Sequence, residues 1–138
     1  MSKKVKIDIL GAQRDEDGQD DWVELSTQAT LTHAPDGAVT LEYAEGAEMD
    51  ETQTTVTVYP GRVSIKRVGQ YNSTMVFEKN TPYTALYQTP YGAFSMGILA
   101  STVETKVTDD SVHLNIVYDI DFGASCNQNR LEIKTSKL

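Results

Sequence analysis

Apolar and polar residues alternate with a period of two through nearly all of this 138-residue chain. In the clearest run, every second residue from Val112 to Phe122 is apolar or aromatic. Side chains of a β-strand point alternately to its two faces, so the pattern predicts strands with one buried and one solvated face. We find no convincing amphipathic helix, and a single helical turn is favoured only in the acidic connection Glu45 to Thr52. The sequence therefore predicts an all-β protein.

Turn signals divide the chain into about ten strands at the spacing typical of a sandwich or barrel. The segment Ala34 to Gly37 predicts a tight turn, because its proline presets one dihedral angle and its glycine allows positive φ. Gly97 and Ser101 predict a bulge or bend within a long run. A polar loop is expected from Gly123 to Asn129, before a last strand that contains Leu131.

Short connections favour pairing of consecutive strands, and an up-and-down meander of this size tends to close on itself. We therefore predict a single domain over residues 1–138, folded as one antiparallel up-and-down β-barrel of about eight to ten strands. A domain of this length buries roughly two thirds of the surface that its unfolded chain exposes, so it needs no disulfide or metal to hold a core.

The net charge of −8 and the isoelectric point near 4.6 exclude some partner classes. Binding to nucleic acid, like docking on anionic lipid, needs a cationic surface. The single cysteine, Cys126, allows no internal disulfide and is typical of a reducing compartment. The first residues resemble the start of a secretory signal, but no continuous apolar segment follows, and no stretch could span a bilayer. We expect a cytoplasmic protein with no nucleic-acid or membrane partner.

Short segments of the second half occur in the order characteristic of one family. They are Arg67-Val68-Gly69, Met75-Val76-Phe77, Tyr87-Gln88-Thr89-Pro90-Tyr91-Gly92, Val117-Tyr118-Asp119-Ile120 and Asn129-Arg130-Leu131-Glu132-Ile133. Together they resemble the YwiB-like family of small bacterial proteins, best from about Arg62 to the end, whereas the N-terminal third matches only as a strand pattern. The resemblance implies a calycin-type, lipocalin-like barrel. The family has no established function, so no catalytic residues carry over.

A local group of cations stands out in this acidic chain. It consists of Arg62, Lys66, Arg67 and Lys79. The functional interpretation is an anchor for an anionic ligand, with Arg62 and Arg67 as the candidates, because a guanidinium matches a carboxylate well. The structural alternative is cross-strand pairing with acidic neighbours such as Glu42 or Glu78.

Tyrosines are the second group of candidate ligand-binding residues, and Tyr87, Tyr91 and Tyr118 lie in the family-like half. A tyrosine combines a large apolar body with a polar tip, which is typical of a half-wet cavity. An ordinary barrel core, in which each hydroxyl finds a partner, accounts for the same residues equally well.

No catalytic residue, metal site or cofactor is predicted. Four aspartates crowd the connection from Asp15 to Asp21, but the later glutamate of a calcium loop is missing, so a solvated acidic loop is favoured. Nothing in the spacing pairs His33 or His113 with Cys126, as a nucleophilic or metal centre would require.

The leading functional hypothesis is a non-enzymatic binding module that holds a small, partly apolar or anionic molecule in the barrel or at its mouth. The alternative is a protein-interaction or assembly module with a solidly packed interior. Its motivation is the strand Thr52 to Tyr59, whose second face is polar but uncharged and could form a homodimer interface. An enzymatic role is a distant third.

Overall fold

The computed structural model describes residues 2–15, 17–45, 52–69, 72–123 and 125–138. These ranges form β-strands joined by turns, and none of them forms a helix with the length and hydropathy to cross a bilayer. The strands are β1 (Ser2–Arg14), β2 (Asp20–His33), β3 (Val39–Glu45), β4 (Thr52–Tyr59), β5 (Arg62–Gly69), β6 (Asn72–Glu78), β7 (Pro82–Thr89), β8 (Gly92–Val107), β9 (Val112–Asp121) and β10 (Cys126–Ser136).

Consecutive strands pair antiparallel, and β10 returns to pair with β1, so the ten strands close into one barrel. The closing pair runs from Lys6 opposite Ser136 to Arg14 opposite Gln128. The all-β, up-and-down barrel predicted from the alternation is confirmed, and its architecture is that of a calycin-like fold.

The predicted turn between β2 and β3 is confirmed in its geometry. Gly37 has a φ of 91°, in the left-handed region that favours glycine, and its amide donates to the carbonyl of Ala34 at 3.0 Å. The bulge predicted in β8 lies between Ala100 and Thr102, at Ser101. Gly97 pairs regularly with Asp121, so it is not the site of the irregularity.

The predicted loop from Gly123 to Asn129 is wrong in its second half. β10 begins at Cys126, directly opposite Asp121 of β9. Asn127 and Asn129 lie on the same face of β10 as the buried Ile133. Because both residues are polar, the sequence does not show the alternation of apolar and polar residues that predicts a strand. The helical turn predicted over Glu45 to Thr52 falls on residues 46–51, outside the described residues, whereas its two end residues belong to β3 and β4.

One end of the barrel interior is filled by apolar side chains. We call the end where the odd-numbered strands begin the lower end, and the end where they finish the upper end. Two inner rows cross β3 to β6 near the lower end, each residue lying opposite the next on the neighbouring strand. The members are Val39, Val58, Val63 and Phe77 in one row, and Leu41, Val56, Ile65 and Met75 in the other, all buried.

Candidate functional site

The inner surface changes chemistry one row above these apolar rows. The third row, which we call the polar row, also takes one residue from each neighbouring strand and extends across β3 to β8. Its members are Tyr43, Thr54, Arg67, Ser73, Tyr87 and Phe94. The upper interior therefore presents a guanidinium, hydroxyls and aromatic rings where the lower interior presents aliphatic groups.

Arg67 lies in the polar row because β5 continues beyond it to Gly69. Arg67 lies on the same inward face of β5 as the buried residues Val63 and Ile65, and its own side chain is half-buried. The sequence left this orientation open, since the residues after Lys66 resemble the start of a loop. An arginine side chain stays protonated at any physiological pH, so it places a permanent positive charge in the upper interior.

Tyr118 faces the interior from β9, which pairs with β8 beside the end of the polar row. Its ring packs on Phe77, a member of the lower apolar row, with the ring centroids 4.6 Å apart. Burial raises the pKa of the Tyr118 hydroxyl, and the positive charge of Arg67 partly offsets that rise. Along β9 and β10, Tyr118 lies opposite Asn129, which in turn lies opposite Gln13 of β1.

Tyr87 and Ser73 join the site across β6 and β7. The two residues lie directly opposite each other, and Phe94 follows Tyr87 on β8. Ser73 is only 6% exposed, and its Oγ has no hydrogen-bond partner among the residues that the structure describes. A buried hydroxyl without a partner carries a desolvation cost that a partner would relieve, so it marks a place where a ligand or water can bind.

The other two predicted site residues lie elsewhere. Arg62 is exposed on the outer wall at the lower end, where its guanidinium stacks 4.5 Å from the centroid of the Tyr59 ring and its strand position faces Glu78. Tyr91 lies in the turn between β7 and β8 and is 89% exposed. The barrel thus brings Arg67, Tyr87 and Tyr118 together in the upper interior, and it does not bring Arg62 or Tyr91 to them.

Sequence reasoning missed the two aliphatic hydroxyl groups of the polar row, those of Thr54 and Ser73. Both could have been found from strand parity, because Thr54 alternates with Val56 and Ser73 with Met75. The sequence pattern places Thr54 on the same strand face as Val56 and Val58, but no ligand role was predicted for Thr54 or Ser73.

The aspartates of the β1–β2 connection have local roles. Asp15 accepts hydrogen bonds from the backbone amides of Asp17 at 3.0 Å and Gln19 at 2.9 Å. Arg14 donates to Asp20 at 2.8 Å, and this hydrogen bond lowers the pKa of the Asp20 carboxyl. The described residues contain no cluster of three metal-ligating side chains.

Among the described residues, His113 and Cys126 lie at different ends of β9 and β10 and do not come together as a nucleophilic centre would require. His113 lies opposite Lys134 towards the lower end and its Nε2 is 3.3 Å from a carboxylate oxygen of Glu132. Cys126 lies opposite Asp121 at the upper end. The arrangement of the upper interior therefore supports binding of an anion with an apolar body, through one fixed cation, hydroxyls and rings.

Comparisons with known proteins agree with the fold and leave the activity open. A family model described as a domain of unknown function (DUF1934) matches residues 7–133. No curated protein matches the chain significantly. The structure resembles the crystal structure of the ywiB protein from Bacillus subtilis with a TM-score of 0.90 and 18% sequence identity, over 99% of this chain and 93% of that one. The resemblance to YwiB-like proteins is therefore confirmed, and at this identity it establishes the fold alone.

Proposed function

This chain belongs to the DUF1934 family of domains of unknown function, and we propose that it is a non-enzymatic protein that binds a small anionic molecule with an apolar body in the upper interior of its barrel. Arg67 anchors the anionic group, and Tyr87 and Tyr118 contact the apolar part. The proposal involves no catalytic residue and no cofactor. A lone cysteine and the acidic charge favour a cytoplasmic protein without nucleic-acid partners.

The observation that carries the proposal is the switch from apolar to polar chemistry between adjacent inner rows. A barrel that only had to fill itself would extend the aliphatic packing of Leu41 and Ile65 upward, because burying polar groups costs free energy unless each is satisfied. Instead the next row contains Arg67 and the Ser73 hydroxyl, which has no hydrogen-bond partner in the part of the chain that the structure describes. Groups that fix the orientation of a ligand are expected in such a site.

The packed lower end limits the size of the ligand. The row directly beneath the polar row is buried, so the ligand reaches no deeper than its members Leu41, Val56, Ile65 and Met75. The proposed ligand is therefore a short carboxylate, sulfonate or phosphate that carries one or two rings or a few methylenes. The guanidinium of Arg67 recognises such an oxyanion in two-point geometry.

A fluorescence titration with anilinonaphthalene sulfonate tests the anchor. We expect Arg67→Met, which keeps an unbranched apolar side chain but removes the charge, to weaken binding by about tenfold, the loss typical of a charge-assisted hydrogen bond. Arg62→Met is the matched control, because it removes the same group from the outer wall of the same strand. Equal affinities of the two variants would contradict the assignment of Arg67.

Native mass spectrometry of the purified protein identifies the natural ligand class. The proposal predicts a reproducible small anionic adduct that dissociates on denaturation and is depleted in Arg67→Met. A protein that carries no adduct and also fails to bind anilinonaphthalene sulfonate would overturn the proposal and favour an assembly role.

A second candidate function, homodimer assembly, is favoured by the outer wall. One outer row runs through positions without charge on five neighbouring strands, although the chain is strongly acidic. Its members are Thr32, Thr40, Thr57, Ser64 and Val76. Surfaces depleted in charge are typical of interface cores.

Light scattering during size exclusion tests this candidate. If the wall is an interface, the wild type is a dimer, Thr57→Lys is a monomer, and the control Thr102→Lys, on the wall that pairs with β9, stays dimeric. A monomeric wild type at all accessible concentrations would rule it out.

A further inference from the structure

The barrel wall is interrupted between β6 and β7. Among the described residues these strands pair only at Asn72 opposite Gln88 and Ser73 opposite Tyr87. β7 pairs with β8 along its whole length, and β6 pairs with β5 from Arg62 opposite Glu78 upward, so the interruption is confined to one boundary. We call the unpaired stretch, residues 74–78 and 82–86, the seam.

A groove of about 400 Å³ lies along the upper part of the seam. Outward-facing residues such as Lys66, Thr74 and Thr84 line it, as expected for a surface groove. Arg67 and Ser73, which belong to the inner polar row, line it as well. The groove therefore cuts into the wall and reaches the residues that form the proposed binding site inside.

The charge of the groove is opposite to that of the protein. Among the described residues that line it are two cations, Lys66 and Arg67, and no carboxylate, in a chain with a net charge of −8. The cross-strand neighbours of Lys66 are Thr55 and Thr74, so no acidic residue lies directly opposite its ammonium group. A local positive field in an acidic protein attracts anions to this groove and away from the rest of the surface.

Ser73 supplies an independent indication of a ligand. Its side chain lies between Arg67 and Tyr87 in the polar row, is 6% exposed, and has an Oγ without a partner among the described residues. A hydroxyl can donate to an oxyanion that the neighbouring cations attract. Between the described residues of the seam, β6 and β7 form no ladder pairs, and the wall is held at the lower end by the Asn80 amide, which donates to the Ala100 carbonyl at 2.7 Å.

We propose that the seam is a lateral oxyanion-binding site, in which Lys66, Arg67 and the Ser73 hydroxyl hold a carboxylate, sulfonate or phosphate group. The apolar body of the same ligand lies in the upper interior, and for that part the inference rests on the proposed function. The headgroup is thus bound in the wall, and the ligand enters through the side of the barrel.

Amide chemical shifts, measured by NMR while inorganic phosphate is added at constant ionic strength, test the oxyanion site by itself. We expect saturable shifts at residues 66–67, 73–74 and 84–86, and about a tenfold weaker response in Lys66→Gln, as for loss of one charged donor. Lys4→Gln is the control, because Lys4 lies on the outer wall of β1, in the same cross-strand row but four strands away. Shifts scattered over the surface, or equal responses of the two variants, would overturn the proposal.

Two dyes separate failure of this inference from failure of the proposed function. Anilinonaphthalene sulfonate carries an oxyanion, whereas phenylnaphthylamine has the same rings without it. Lys66→Gln and Ser73→Ala should weaken binding of the sulfonate several-fold and leave phenylnaphthylamine unchanged. If both dyes bind the wild type but neither variant discriminates between them, the seam site is wrong and the interior site stands. If phosphate shifts the seam amides but neither dye binds, the seam site stands and the interior site is wrong.

Discussion

The lower and upper halves of the barrel interior are built from the same strands but carry different side chains, apolar in the lower half and largely polar or aromatic in the upper half. In the two apolar rows, inward positions of β3 to β6 are apolar and buried, whereas the polar row one step above them contains Arg67, Ser73 and Tyr87. Because inward parity is unchanged, the difference is one of side-chain chemistry and not of backbone geometry. Packing in the lower half stabilises the fold, which leaves the upper half able to carry groups that contribute to binding at a cost in stability.

The largest expected difference between the halves is in the loss of unfolding free energy when a phenylalanine is replaced by alanine. Phe77→Ala removes a fully buried ring and should lower the free energy of unfolding by about 3–5 kcal/mol. Phe94→Ala removes a ring that is 53% exposed at the upper end and should cost about 1 kcal/mol or less. Urea unfolding measures both values, and similar losses would show that the upper half is packed as tightly as the lower half.

A smaller difference in unfolding free energy is expected between the removal of two hydroxyl groups of the polar row. Ser73→Ala removes a hydroxyl without a described partner and should leave the free energy of unfolding unchanged or raise it by up to about 1 kcal/mol. Thr54→Val is the control, because Thr54 is equally buried but has an interaction in the structure, so its replacement should cost about 1 kcal/mol. A clear loss of stability in Ser73→Ala would mean that its hydroxyl is already satisfied in the unliganded protein.

The smallest expected effect is on the dependence of the unfolding free energy on pH under alkaline conditions. Burial raises the pKa of Tyr118, so the folded protein holds this proton more tightly than the unfolded chain. The resulting stabilisation is complete below about pH 10, the pKa of an unfolded tyrosine, and is lost as the pH rises through the raised pKa of the folded state. Tyr118→Phe should therefore flatten the fall of stability above about pH 10, which thermal melts across that range can measure.

The exposed Tyr91 provides the control for this effect. Tyr91→Phe replaces a side chain that is 89% exposed and should reproduce the wild-type alkaline slope. If Tyr118→Phe shows the same slope as the control, the Tyr118 hydroxyl is solvated in the folded protein and the upper interior is wetter than its burial indicates.

Most of the fold followed from the sequence because the lower half obeys one rule. Apolar residues such as Val56 in β4 and Ile116 in β9 alternate with polar ones, which is sufficient to predict the strands. The short turns are sufficient to predict which strands pair. The rule failed where inward residues are polar: β10 starts three residues before the end of the predicted loop at Asn129 because Asn127 and Asn129 do not read as a buried face.

The candidate site was harder to predict from the sequence, because its inward residues are polar as well. Arg67, Tyr87 and Tyr118 were identified by residue type, but Arg62 and Tyr91 were identified equally and lie outside the upper interior. Nothing in the composition singles out Ser73, which is of interest because its hydroxyl is buried with no partner among the residues that the structure describes. The seam between β6 and β7 is invisible in sequence, since it depends on which ladder hydrogen bonds are not formed.

The most direct test of the division between the two halves is to map the amide shifts that anilinonaphthalene sulfonate causes in the wild-type protein. The proposed function predicts a saturable response that is largest around Thr54, Arg67, Ser73, Tyr87 and Tyr118, with little change at the lower-end positions of the same strands. A response centred on the outer row of Thr40 and Thr57, or no saturable response, would contradict it.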